Sequence, residues 1–291
     1  MLSLDAKHRL ADRLGQMLAR TLRGALLAAT QVLPRNGRDH VRSVAVTDFA
    51  AALRTIDVAG QTLRLEWGAL LTGQTLRWLE PETFAWLDTE VRDGEVLWDV
   101  GANVGLYSLW CAKRHARARV VAFEPNALTY PVLVRHVIAN GVADRVQALP
   151  LALSDPPMRA TAFRLNTCFA GMAANQLAVD GAPPMWGGRE AARYAVLAAS
   201  ADELVAVAGL AQPDHLKLDV DGIEPLILRG ASSVLARVRS VLVEVEEMHI
   251  RHHADGAEAI LRPLREAGLV EDETFRSKGS RRNRLFVRPQ P

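Results

Sequence analysis

The chain has 291 residues, 49% apolar and 23% charged, with a formal net charge of +2. That composition excludes wholesale disorder and leaves enough apolar material for a sizeable core. The near-balanced charge creates no overall field demanding nucleic acid or an anionic membrane as partner. Cys111 and Cys168 stand apart rather than in a paired ligand spacing, so neither a zinc site nor a disulfide framework is expected.

At the N-terminus, Asp5, Lys7, Arg9, Asp12, Arg13, Arg20 and Arg23 interrupt every apolar run, which argues against a secretory signal. No stretch approaches the roughly 20 apolar residues of a membrane span, and a cytoplasmic protein is expected. From Leu4 to Val32, Leu10, Leu14, Met17, Leu18, Leu22 and Leu26 recur at three- and four-residue steps. This predicts an amphipathic helix ending before Pro34. Its apolar face suits packing on the main domain or on a second subunit, as in a homo-oligomer, while its Arg-rich face leaves contact with a membrane surface or a dedicated partner open. Residues 1–40 are thus read as helix plus linker, 41–94 as a cap or lead-in, and 95–291 as the main domain. Within the lead-in, Val44 to Leu65 alternates loosely and suits strands or a cap, and Pro81–Val91 reads as a helix with proline in its first turn.

From Glu95 onward short apolar runs alternate with helical stretches, the pattern of βαβ units around a parallel sheet. Strands are expected at Glu95–Val100, Arg119–Glu124, Val146–Leu151, His215–Val220, Ser240–Val245, Val270–Phe275 and Arg284–Val287. Helices are expected at Gly105–His115, Ala127–Asn140, Ile223–Arg237 and Asp255–Gly268. The fold class is therefore α/β, a doubly wound, mostly parallel, seven-stranded sheet. An insertion from Pro156 to Ala195 interrupts the rhythm. Its Gly181–Gly188 piece (GAPPMWGG) reads as loop, and Phe163–Leu177 as a loop able to close over a ligand.

The first strand runs directly into GANVGLYS, so that Asp99, Gly101 and Gly105 form D-x-G-x-x-x-G between strand and helix. Glycine lets a ligand approach the backbone, and the N–H groups opening the helix add donors. Asp99 can accept from a cationic amino group, and Glu124, ending the second strand in FEPN, can take two ribose hydroxyls. A dinucleotide turn would require glycine where Asn103 and Leu106 stand, and a pyrophosphate would not welcome Asp99. A ligand with an amino-acid end and a nucleoside end but no pyrophosphate remains, and S-adenosylmethionine fits it. The residues read as its binding set are Asp99, Gly101, Ala102, Asn103, Gly105, Glu124, Pro125, Asn126, Ala152, Leu153 and Asp219.

These residues resemble the FkbM-type methyltransferases, a branch of the class I S-adenosylmethionine-dependent enzymes. The resemblance runs from about Leu97 to Val287 through DVGANVGLYS, FEPN, IANG, ALSD and LKLDVDGIEPLILRGA (Leu216–Ala231). The last stretch is the more diagnostic, and in it Asp221 stands where the family more often has glutamate. The resemblance implies the strand order 3-2-1-4-5-7-6, O-methyl transfer, and an acceptor from secondary metabolism or a glycan.

Removing the proton of an acceptor hydroxyl needs a base beside the methyl donor. Asp219 and Asp221 follow the fourth strand and are nominated as base or acceptor-orienting groups, with Lys217 balancing their charge and Glu224 close by. The fifth strand leads into VEVEEMHIRHH, where His249 is the alternative base, oriented by Glu246. The acids and histidines there raise a divalent cation as a second reading, but no carboxylate triad of recognisable spacing appears and no metal ligands are assigned. Cys168 is read as a packed small residue with no catalytic part. The basic stretch Ser277–Arg284 is read as a solvated hairpin. DVDG in place of an aromatic D-P-P-Y sequence favours oxygen over nitrogen as acceptor. A non-catalytic protein binding the same ligand on the same fold is the alternative reading.

Overall fold

The computed structural model describes residues 52–66, 79–173, 175–178, 190–246, 255–278 and 282–289, with scattered positions between 17 and 41. The helix expected over Leu4–Val32 and the Gly181–Gly188 piece lie largely or wholly outside the described residues. The chain divides into two units, Met1–Ala52 and Leu53–Pro291. Among the described residues no helix is long and apolar enough to cross a membrane.

The second unit opens with an antiparallel hairpin, β1 (Leu53–Val58) and β2 (Gln61–Glu66). Ala59 and Gly60 turn it with positive φ values of 47° and 80°, the backbone that matches strand twist in a two-residue connection. Val58, Leu63 and Leu65 enter the same core as Leu97 and Leu109, which is why the lead-in belongs to the sheet unit. Helix α1 (Pro81–Glu90) has proline in its first turn and buries Phe84, Trp86 and Leu87.

All seven expected strands form one sheet: β3 (Val96–Val100), β4 (Arg119–Phe123), β5 (Val146–Leu149), β10 (His215–Leu218), β11 (Ser240–Glu244), β12 (Val270–Glu271) and β13 (Asn283–Val287). Read from β5 the order is β5-β4-β3-β10-β11-β13-β12, the 3-2-1-4-5-7-6 arrangement. Strand β13 alone runs antiparallel to β11 and β12, and the other pairs are parallel. Side chains alternate between the two faces. Trp98, Val121 and Leu216 therefore pack in one core, and Leu97, Val120 and Leu242 in the other. Between the strands run α2 (Leu106–Arg114) and α3 (Tyr130–Ala139).

Three expectations change. The insertion is not a structureless loop: β6 (Ala152–Leu153), β7 (Arg159–Leu165), β8 (Gln176–Leu177) and β9 (Ala192–Ala199) form a second sheet in the order β6-β9-β7-β8. Many of the side chains it buries are small, as at Ala152, Ala198 and Ala199, and β6 and β8 are two residues long, so their pattern is faint in the sequence. After α4 (Ala201–Ala206), the helix expected over Ile223–Arg237 breaks into α5 (Glu224–Arg229) and α6 (Ser232–Leu235) at Gly230. A Cβ on Gly230 would lie 2.5 Å from the Ser154 carbonyl oxygen, so the chain passes too close to the insertion for any larger residue. Beyond α7 (Glu258–Glu266), the strand expected over Val270–Phe275 stops at Glu271. Asp272 Oδ1 accepts from the Thr274 and Phe275 amides at 2.9 and 3.0 Å and starts α8 (Glu273–Lys278) instead.

A buried polar chain pins α1 to the strand starts. Trp86 Nε1 donates to Ser240 Oγ at 3.0 Å. His215 Nδ1 lies 2.7 Å from the same hydroxyl, and its Nε2 lies 2.9 Å from Glu95 Oε2. The hydroxyl that accepts from Trp86 gives its own proton to Nδ1, so Nε2 donates to Glu95. Ser240→Ala should therefore strand a buried indole N–H and lower unfolding free energy by about 1–3 kcal/mol, read from denaturant titration against wild type.

Candidate functional site

A cavity of about 560 Å³ opens at the carboxyl ends of β3, β4 and β10. The strand order reverses between β3 and β10, the place where doubly wound sheets bind ligands. Gly101, Ala102, Asn103, Glu124, Pro125, Asn126, Ala152, Leu153, Asp219 and Asp221 all line it.

The turn after β3 is built for close approach. Gly101 has φ +83°, and a Cβ there would stand 2.0 Å from the Asp219 carbonyl oxygen. Asn103 is held left-handed at φ 52°, a backbone that asparagine tolerates better than most residues. Gly105 is different: at φ +87° its absent Cβ makes room for Leu133 Cδ1, at 2.4 Å, so it serves the packing of α2 on α3 and does not reach the cavity.

Glu124 follows β4 and is buried. Its Oε2 accepts the Asn103 amide at 2.8 Å and its Oε1 the Asn126 amide at 2.7 Å, which fixes the carboxylate against the glycine turn. Burial, opposed by those two amides, pushes its pKa up to about 7.

Asp99 is not where the sequence reading puts it. It stands two residues after Leu97 and so shares that residue's face, the one covered by α2, fully buried, with Ser108 Oγ donating to its Oδ2 at 2.5 Å and Oδ1 without a partner. It does not line the cavity. Burial raises its pKa, partly opposed by Lys217. Lys217 pairs with Asp99 in the β3–β10 register and so shares its face. Its Nζ donates to Asp219 Oδ2 at 2.8 Å and stands 5.0 Å from the centroid of the Tyr107 ring. Burial disfavours the Lys217 charge, but Asp219, Asp99 and Glu80 outweigh it and hold the ammonium above its ordinary pKa.

Of the proposed bases, Asp219 and Asp221 share the cavity wall, and Asp221 is held left-handed at φ 58° before Gly222. Glu224 is behind that wall, 1% exposed. Its Oε1 accepts the Val220 amide at 3.1 Å while Oε2 has no partner, and burial pushes its pKa up to about 8. His249, together with His252 and His253, lies outside the described residues. Glu246, read as its orienting partner, faces Arg282 at 3.3 Å.

The site also holds residues that the motifs did not point to. Glu80 comes from the residue before α1, Tyr107 from the first turn of α2, and Arg282 from the stretch read as a solvated hairpin, while Glu244, in the VEVEE run expected at this sheet edge, ends β11. The Tyr107 hydroxyl donates to Glu80 Oε2 at 3.3 Å. The insertion supplies Phe163, Asn166, Met172, Asn175 and Leu177. It is tied to the turn where Asn103 Nδ2 donates to the Gly171 carbonyl at 3.2 Å and the Gly171 amide donates to Thr129 Oγ1 at 3.1 Å. Cys168 is exposed rather than packed. Among the described residues no three His, Cys, Asp or Glu side chains are grouped to hold a metal ion.

Glu224 yields a pH test. Its folded pKa lies above the ordinary 4.5, so between about 4.5 and about 8 the folded state binds the proton that the unfolded state has lost. Stability then falls as pH rises through that window. Glu224→Gln should melt on the order of 5 °C above wild type at pH 8.5, with the gap closing toward pH 5.

The sequence matches the methyltransferase FkbM domain over residues 99–270, more than half of the chain. It is 31% identical over 236 residues to the AMB antimetabolite synthetase AmbE of Pseudomonas aeruginosa, a match covering 68% of this chain and 11% of that protein. It is 27% identical over 168 residues to the hexuronic acid methyltransferase AglP of Haloferax volcanii, covering 57% of this chain and 62% of AglP. It is 27% identical over 186 residues to the 31-O-demethyl-FK506 methyltransferase FkbM of Streptomyces tacrolimicus, covering 58% of this chain and 69% of that enzyme. The chain thus spans less than two thirds of the first two of these relatives. With the seven-stranded order, the glycine turn and the LKLDVDGIEPLILRGA segment all present, the chain belongs to the FkbM methyltransferase family.

Proposed function

We propose that this chain transfers a methyl group from S-adenosylmethionine to a hydroxyl of a small-molecule or glycan acceptor. The observation that carries the reading is Glu124: a buried carboxylate, held by two backbone amides beside a glycine turn, lining a cavity of about 560 Å³. Each of its oxygens spends one lone pair on an amide and keeps another for a vicinal diol. Leu151, Ala152 and Leu153 offer an apolar wall next to it for a nucleobase. When bound, the cofactor supplies an electrophilic methyl on a sulfonium.

The chain's own residues then have two tasks, to hold the acceptor oxygen in line and to receive its proton. Asp219, fixed by Lys217, and Asp221, on the turn beyond β10, are the carboxylates beside the strand switch that can orient a hydroxyl and take that proton. The insertion adds Phe163, Asn166, Met172, Asn175 and Leu177 to the wall of the same cavity. Two relatives support the acceptor class, since one is named for a hexuronic acid and the other for an O-demethyl precursor.

Calorimetric titration with S-adenosylhomocysteine tests the cofactor site. Glu124→Ala should weaken binding by roughly 100-fold, the loss of two bonds to a charged acceptor at about 1.5 kcal/mol each. Wild-type affinity should also fall as pH is lowered from 8 to 6, because a carboxyl with a pKa of about 7 loses its charge over that range. Binding without methyl transfer to any sugar or polyketide alcohol would favour the non-catalytic alternative, and no binding by folded wild type would remove the cofactor reading.

A further inference from the structure

We propose that Glu80 receives the ammonium of the cofactor's amino-acid end, the part that sequence reasoning assigned to Asp99. This rests on the S-adenosylmethionine reading above. An ammonium brought out of water needs a charged acceptor within hydrogen-bond reach. Asp99 cannot serve, since it is sealed beneath α2 and lines no cavity surface.

The cavity's other carboxylates are already engaged. Asp219 is held by Lys217 at 2.8 Å, Glu244 and Glu246 face Arg282 at 3.6 and 3.3 Å, and Glu124 is clamped by two amides. Asp221 lies toward Glu124 and Glu224, whose carboxyls it raises.

Glu80 lines the same cavity, and its hydrogen bonds come from neutral hydroxyls, Tyr107 at 3.3 Å and Thr83 at 3.0 Å, both on Oε2, while the charges of Lys217 and Arg282 act on it without a direct ion pair among the described residues. Its Oε1 has no bond among the described residues. Tyr107 is the second residue of α2, so this carboxylate stands on the side of the glycine turn, where the amino-acid end of the ligand belongs. Lys217 Nζ stands 5.0 Å from the centroid of the same tyrosine ring, so charges of both signs lie around Tyr107. Glu80 precedes residues 99–270, so the family match does not include it.

The test compares two ligands on the full chain by calorimetry: S-adenosylhomocysteine, which has the amino-acid end, and 5′-methylthioadenosine, which lacks it. Glu80→Gln keeps an acceptor for both hydroxyls and removes the charge. It should weaken S-adenosylhomocysteine by about tenfold or more while 5′-methylthioadenosine stays within about twofold. Thr83→Ala removes a contact of Glu80 without touching the charge, and both affinities should stay within about twofold of wild type. An affinity ratio unchanged in Glu80→Gln, or a shift reproduced by Thr83→Ala, overturns the assignment while leaving the cofactor reading intact. Failure of wild type to bind either ligand overturns both.

Discussion

The whole site depends on how closely the end of β3 approaches the end of β10. With a side chain on Gly101 the Asp219 carbonyl oxygen would be 2.0 Å from a Cβ, so the two strand ends can converge only because that atom is missing. Their convergence, at the switch in strand order, brings the Lys217–Asp219 pair beside the glycine turn at the wall of the cavity. Glu124 completes the arrangement from the other neighbour of β3, clamped by the Asn103 amide of the same turn. One missing methyl group thus organises elements contributed by three strands.

The site is an environment of opposed charges rather than a neutral pocket. Its wall carries Glu80, Glu124, Asp219, Asp221, Glu244 and Glu246 against Lys217 and Arg282. Such density is sustained by pairing, since Lys217 and Arg282 each keep carboxylates close, and by amides that hold Glu124 where burial opposes its charge. Glu224, behind the wall with one oxygen unpartnered, is a strained element of this kind that touches no ligand surface.

Much of this was legible in the residues, for identifiable reasons. The seven strands were readable because buried parallel strands are continuous apolar runs, and the cofactor turn because glycine spacing is a backbone requirement. The placement of Asp99 was misread although strand parity carried the answer: Asp99 stands two residues after Leu97, shares its face, and so meets α2 rather than the cavity. The insertion's sheet was hidden because two of its strands are two residues long and several of the residues it buries are alanines, leaving no strong apolar alternation. Glu80, Tyr107 and Arg282 could not be read as one group, since they are separated by up to 202 positions and meet only through the packing of α1 and β13 on the sheet.

The insertion leaves and rejoins the main domain at a single point. Leu153 pairs in parallel with Ala199, and Ala152 with Ala198, so the strand entering the second sheet lies beside the strand leaving it. None of its strands pairs with the seven-stranded sheet. The cavity wall it supplies is therefore modular: evolution could exchange everything between those paired ends, altering the shape offered to an acceptor, without disturbing the register of a single strand beneath the cofactor turn.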